Sequence, residues 1–250
     1  MSSKSLSDLL IHLKLYGFKE ALDIQLSNPE FMELDFCEQL SLLLEHEKSY
    51  KQNKKLARMI SASNVKYRSA CMENIDYQVK RGLNKKQLLS LAQFGWVQKF
   101  QNVLVTGPTG VGKTEIGCAL AMNAVRQDYS ALFFRMSRLL EMLEICRADG
   151  SLPRFRMKLA KADILVLDDL GITPLNDMNR RDLLDIIEDR VGSGSVVVTS
   201  QLPVNKWHEY IGENTLADAI LDRLVHRSHK IQMRGESMRK LKESVGEDYV

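Results

Sequence analysis

Long hydrophobic runs are missing from this chain. Charges interrupt every apolar stretch well before the roughly 18 residues that would suggest a membrane-spanning helix. The opening segment MSSKSLSDLLIHLK carries Lys4, Asp8 and Lys14, so no uninterrupted apolar core of a secretory signal is present. Cysteine is scarce too. Cys37, Cys71, Cys118 and Cys146 are scattered, with no CxxC pair and no histidine at metal spacing. That excludes a disulfide framework or a thiolate zinc site, and suits small buried hydrophobes in a reducing, cytoplasmic setting. Proline and glycine are rare in the first 92 residues, where only Pro29, Gly17 and Gly82 occur. Acidic residues vanish altogether between Lys48 and Met72, although the whole chain carries a net charge of only +3.

What is present falls into two patterns. In the first part, apolar residues recur at helical spacing, as in Leu40, Leu43, Leu44 and Leu56, Met59, Ile60. From about residue 101, short apolar runs alternate with stretches of helical length: NVLVTG, ALFFRM, DILVLDDL, SVVVTS and KIQM. Alternation of that kind predicts an α/β domain with a parallel sheet sandwiched by helices. The expected division is a small all-helical N-terminal domain, residues 1–75, followed by the α/β domain, residues 76–250. RGLNKKQLLSLAQFGWVQKFQ reads as a helix feeding the first strand.

One strand poses an electrostatic problem. ILVLDDLG, residues 164–171, is apolar enough to be covered on both faces, yet it ends in Asp168 and Asp169. Adjacent carboxylates repel, and burial raises the cost. GPTGVGKT answers them. Gly107, Pro108, Thr109, Gly110, Val111, Gly112, Lys113 and Thr114 match the phosphate-binding loop G-x-x-x-x-G-K-[ST], set between a strand and an amphipathic helix. Its backbone N–H groups and the helix N-terminus suit phosphate oxygens, with Lys113 reaching the β- and γ-phosphates of ATP. Thr114 and Asp168 then become the expected Mg²⁺ ligands, and Asp169 the group that orients or deprotonates the attacking water. Either carboxylate also suits a helix N-cap. A strand–helix unit separates the phosphate-loop strand from the acidic one, and SVVVTS follows with the polar tip Thr199, Ser200, Gln201. The arrangement resembles the additional-strand ATPases, the AAA+ group among them.

More of the chain fits a narrower resemblance. LKLYGFKEALDIQLSNPEF, RGLNKKQLLSLAQFGWV, GPTGVGKT, LVLDDLG, VVVTSQLPVNKWHEYIG and LADAILDRLVHRSHKIQMRGESMRK together resemble the IstB family, AAA+ helper ATPases of bacterial insertion sequences, and more distantly the helicase loaders DnaC and DnaI. The resemblance implies that Gln201 is the γ-phosphate sensor. It also implies that Arg223 is an arginine finger acting on a neighbouring subunit, with Arg227 competing for that role. The bland alternative for either arginine is a cation settling a helix C-terminus. AAA+ proteins usually carry Glu where Asp169 stands, and the shorter arm places a water less well, so slow hydrolysis is expected; where Gln201 stands the usual sensor is the shorter Asn. After KIQM only 17 residues follow, too few for the AAA+ lid, and Arg239 is the one candidate to replace a lid arginine.

The acid-free stretch supplies the last expectation. Lys51, Lys54, Lys55 and Arg58 stand at i, i+3, i+4 and i+7 of a helix, with Lys66 and Arg68 beyond. Charge alone points to a solvated face more than to binding. The family resemblance implies duplex DNA, held through its backbone and deformability and not by base sequence. It further implies a homo-oligomer with ATP between subunits and a cognate transposase as client. A helicase loader, or a DNA-binding scaffold with a nucleotide switch, are the other functions open to this sequence.

Overall fold

The structure is a computed structural model, and it describes residues 3–77 and 81–238. Two compact units divide the chain, Met1–Arg58 and Met59–Val250. In the first, α1 (Ser3–His12) and α2 (Tyr16–Ser27) precede a 3-10 turn, Pro29–Glu33, and the long α3 (Phe36–Ser63). Asp35 starts α3 with a reciprocal cap: its carboxylate accepts from the Glu38 N–H at 2.8 Å, and Glu38 accepts from the Asp35 N–H at 3.0 Å. Gly17 is buried against α3, where a β-carbon would come within 2.5 Å of Tyr50 Cβ. Glu47, also buried, accepts from the Phe18 N–H at 2.8 Å and pairs with Lys51 at 3.0 Å.

The second unit begins inside α3, at Met59, whereas the boundary expected from the sequence follows residue 75. Residues 64–75 are nearly devoid of helix, yet Val65, Met72 and Ile75 are buried, and the turn Met72–Asn74 packs on the helix that follows the phosphate loop. The expected connecting helix is broken into α4 (Lys85–Leu91) and α5 (Gly95–Gln98). Phe94 interrupts it in a left-handed conformation at φ +58°, fixed by Trp96, whose indole N–H donates to the Leu91 carbonyl at 2.8 Å.

Next come β1 (Asn102–Thr106), α6 (Lys113–Arg126), β2 (Ala131–Arg135), α7 (Met136–Ala148) and α8 (Leu152–Lys161). They lead into β3 (Ile164–Leu170), α9 (Asp177–Glu188), β4 (Ser195–Ser200), α10 (Trp207–Ile211), α11 (Asn214–Val225) and β5 (Ser228–Gln232). All four strand pairings are parallel, in the order β2-β3-β4-β1-β5. Thus β4 is inserted between the phosphate-loop strand and the acidic strand. Side chains alternate across each strand. Leu104, Leu132, Phe134, Leu165, Leu167, Val196 and Val198 join a core with α7 to α11. The alternate residues look toward α6, where a β-carbon added at Gly117 would meet Thr199 at 3.3 Å and Val166 at 3.4 Å.

At the N-terminal rim of the sheet, a fully buried arginine replaces apolar packing. The Arg190 guanidinium donates to the carbonyls of Leu159, Ala162 and Ser195, tying α8 and the start of β4 together. Burial pushes its pKa down to about 10, with Asp163 opposing the shift, so it stays charged at neutral pH.

Candidate nucleotide-binding site

Parallel strands deliver their ends to one rim, and there the loop 107–112 leaves β1 and turns into α6. Gly107 is packed against chain beyond β5: a β-carbon would lie 2.5 Å from the Met233 carbonyl oxygen, backbone that has no room to move. Its N–H donates to the Ser200 carbonyl at 3.2 Å, which fixes the loop to β4. Gly112, immediately before α6, has φ +100°, a conformation that side chains rarely adopt. The Arg81 guanidinium backs it, donating to the Val111 carbonyl at 3.1 Å and to the Asp76 carbonyl at 2.6 Å. The Lys113 amine is folded onto the Pro108 carbonyl at 2.7 Å. Burial holds its pKa below the usual lysine value, while Asp169 and Asp168 work against that shift.

The acidic pair is not at the end of β3 but inside it. A break in the β3–β4 register between Leu167 and Leu170 accommodates both residues, and Asp169 takes φ +62°, which Asp tolerates better than most. Asp168 is completely buried. Its Oδ1 accepts from the Thr199 hydroxyl at 2.6 Å, and its Oδ2 has no hydrogen-bond partner. Desolvation raises its pKa, with the Asp169 charge adding to the rise; Thr199 and Thr114 favour the ionised form and offset part of it. A buried carboxylate oxygen without a donor, on a group whose neighbour is the Thr114 hydroxyl, fits a hard divalent cation such as Mg²⁺. Among the described residues no three His, Cys, Asp or Glu side chains group to hold a metal by themselves. A cation at this spot would therefore draw its other ligands from phosphate and water.

Between these elements opens a cavity of about 600 Å³, lined by the phosphate loop, Thr114, Glu115, Asp169 and Gln201. Gln201 accepts from the Thr109 hydroxyl at 2.7 Å, so the polar tip of β4 and the loop are joined across it. Three roles in this site escaped the sequence reading. Thr199 donates to Asp168 and accepts from the Asp169 N–H at 3.0 Å, orienting both acids. Arg135 ends β2 beside Asp168 and pairs through Nε with Asp169 at 3.2 Å. Lys66, expected on DNA, lines this cavity with Tyr67. Parallel register places Arg135 there, and no local motif marks it.

A family model for the IstB-like ATP binding protein matches residues 8–245. The chain belongs to that family. An insertion-sequence ATP-binding protein of Sinorhizobium fredii is 42% identical over 93% of this chain and 95% of its own length. One from Pseudomonas fluorescens is 45% identical over 81% of this chain and 87% of its own. Among solved structures, DnaI has a TM-score of 0.56 at 20% identity, covering 66% of this chain and 92% of DnaI. AMPPCP-bound DnaA from Aquifex aeolicus gives 0.56 at 15% identity, covering 71% and 55%. These likenesses show the AAA+ fold: a parallel five-stranded sheet with helices, preceded by a helical region. No described helix is long and apolar enough to cross a membrane.

The other residues that IstB resemblance singles out lie elsewhere. Arg223 and Arg227 sit at the N-terminal rim of the sheet, where Asn102 donates to the Arg223 and Leu224 carbonyls. Arg223 is held within the chain by the Ala219 carbonyl at 2.9 Å and Glu188 at 3.1 Å. Arg227 is exposed and has no ion pair among the described residues. Arg239 lies outside the described residues. In the helical unit, Lys51, Lys54, Lys55 and Arg58 are all exposed on α3. Their face is less bare than the sequence suggests, because Glu47, one turn before Lys51, neutralises it, and Lys54 stands over the Tyr16 and Tyr50 rings. Arg68 is exposed on the segment after α3.

Proposed function

We propose that this protein is a cytoplasmic ATPase that binds duplex DNA, assembles with copies of itself, and delivers that DNA to the transposase of an insertion sequence. The observation that carries the reading is the unpartnered buried oxygen of Asp168 facing Thr114 at the mouth of the phosphate loop. ATP enters with its triphosphate on the loop, and the Lys113 amine exchanges the Pro108 carbonyl for phosphate oxygens. Thr114 and Asp168 would hold Mg²⁺, which would supply positive charge against the phosphate oxygens. Asp169 takes the proton of the attacking water. Its short arm and its pairing with Arg135 keep one carboxylate oxygen engaged, which supports slow turnover.

Arg223 and Arg227 stand at the opposite rim from their own nucleotide site, so either serves only the nucleotide of another copy. DNA retention falls to the α3 face. Insertion-sequence relatives at 42–45% identity favour a transposition helper. The fold of DnaI supports a second reading, a helicase loader with the same chemistry and a different client. Calorimetry of the full chain with Mg²⁺ and ATP tests the site: the expected outcome is saturable heat, retained by Asp169→Asn with turnover lowered at least a hundredfold. No heat with ATP or ADP overturns the reading. A pull-down then separates transposase from replicative helicase as client.

A further inference from the structure

We infer that Lys66 is a γ-phosphate contact supplied by the segment after α3, and that it lets the site tell ATP from ADP. The inference rests on the proposed ATP site and deepens it. Residues 64–71 run along α6, from Cys118 in its second turn to Arg126 at its end. The Lys66 and Tyr67 backbone N–H groups point at the buried Cys118 sulfur, and Asn64 donates to the Phe133 carbonyl on β2 at 3.5 Å. Arg126 donates to the Ala70 carbonyl at 3.4 Å. Cys118 stands four residues after Thr114, hence on the same face of α6, one turn further from the phosphate loop.

That placement decides which end of the nucleotide Lys66 serves. Thr114 faces Asp168, and Arg135, two residues beyond Phe133, pairs with Asp169. Residues 64–71 therefore border the acidic side of the cavity, where the terminal phosphate meets the water. The loop's opposite flank is occupied by Met233, Ser237 and Arg81.

Lys66 is also available. Its amine lies 4.9 Å from the centre of the Tyr67 ring and has no carboxylate partner among the described residues. An exposed cation–π contact is a weak hold, and a charge-assisted bond to a phosphate oxygen is a stronger one. Lys113, Arg135 and Lys66 line this cavity as cations against Asp169 and Glu115, so a triphosphate gains an electrostatic partner that a diphosphate does not reach.

The test is titration of full-length wild type, Lys66→Ala and Lys66→Arg with Mg²⁺ and either ADP or a non-hydrolysable ATP analogue. Lys66→Ala is expected to weaken the analogue about tenfold, or 1.4 kcal/mol, and ADP less than twofold. Lys66→Arg should restore the difference. Retained ADP affinity reports that the variant is folded, and nucleotide-free DNA retention should equal wild type. Equal weakening for both nucleotides, or none for either, overturns the inference. So does loss of DNA retention with both nucleotide affinities intact, which would assign the amine to DNA. If wild type binds neither nucleotide, the ATP site falls as well.

Discussion

Asp168 carries the largest local conflict in the molecule, and its resolution is measurable. An ionised carboxylate with one oxygen unpartnered and no exposure to water opposes folding until a cation arrives. Asp168→Asn keeps an acceptor for Thr199 and removes the charge. The nucleotide-free variant is expected to melt at or above the wild-type temperature, gaining about 1 kcal/mol. The upward shift that Mg²⁺–ATP gives wild type should be lost. A lower melting point without nucleotide would show that the charge is satisfied within the chain. Sequence exposed this conflict because two acids after four apolar residues are a local pattern. It did not expose the contacts that Arg135 and Thr199 make with the acids, since strand pairing alone brings those residues beside them.

At the scale of the helices, α3 has two jobs written on opposite sides of Glu47. Burial disfavours the ionised form of Glu47, but the Phe18 N–H and Lys51 outweigh it and hold the carboxyl below its ordinary 4.5. A depressed folded pKa contributes stability that is complete above the unfolded value and lost as pH falls through the folded one. Amide exchange in α2 and α3 should therefore accelerate below pH 4.5, and Glu47→Gln should flatten that dependence while costing about 1–2 kcal/mol at neutral pH. Unchanged acid sensitivity in the variant would place the cause elsewhere. The same carboxylate dictates how the basic face is probed. Lys51 is left in place, because reversing it would set a second acid beside a buried one. Lys54→Glu, Lys55→Glu and Arg58→Glu together should abolish gel-shift retention at moderate salt. A milder triple change to Gln should reduce the slope of log affinity against log salt by about 2–3. Retention equal to wild type rejects this face. Helical spacing made α3 legible, but Gly17, whose bareness lets α2 approach Tyr50, left no trace in the sequence pattern.

For the whole molecule, the separation of Arg223 and Arg227 from their own phosphate loop makes turnover a property of the assembly. Engaging Arg223 breaks its pair with Glu188, whereas among the described residues Arg227 has no ion pair to give up. Arg227→Ala is expected to lose turnover and keep nucleotide affinity, and mixing it with Asp169→Asn should restore part of the rate. Rescue by Arg223→Ala in the same mixture, with Arg227→Ala fully active alone, would move the role to Arg223. The sheet and phosphate loop were readable from apolar runs and one motif. The division at Arg58 and Met59 was not, because residues 64–75 are ordered by burial of single side chains without periodicity.

Arg190 gives the sheet a mechanical asymmetry. With the carbonyls of Leu159, Ala162, Asp163 and Ser195 gathered by one guanidinium, β3 and β4 resemble cantilevers clamped at one end. Their opposite tips, where the acids and Gln201 project, are restrained by single side-chain ties such as Thr199 to Asp168, Arg135 to Asp169 and Thr109 to Gln201. Ligand-driven displacement will consequently register at those tips as deflection while the clamped end keeps still, and Arg190→Met should blur that contrast by slackening the anchor.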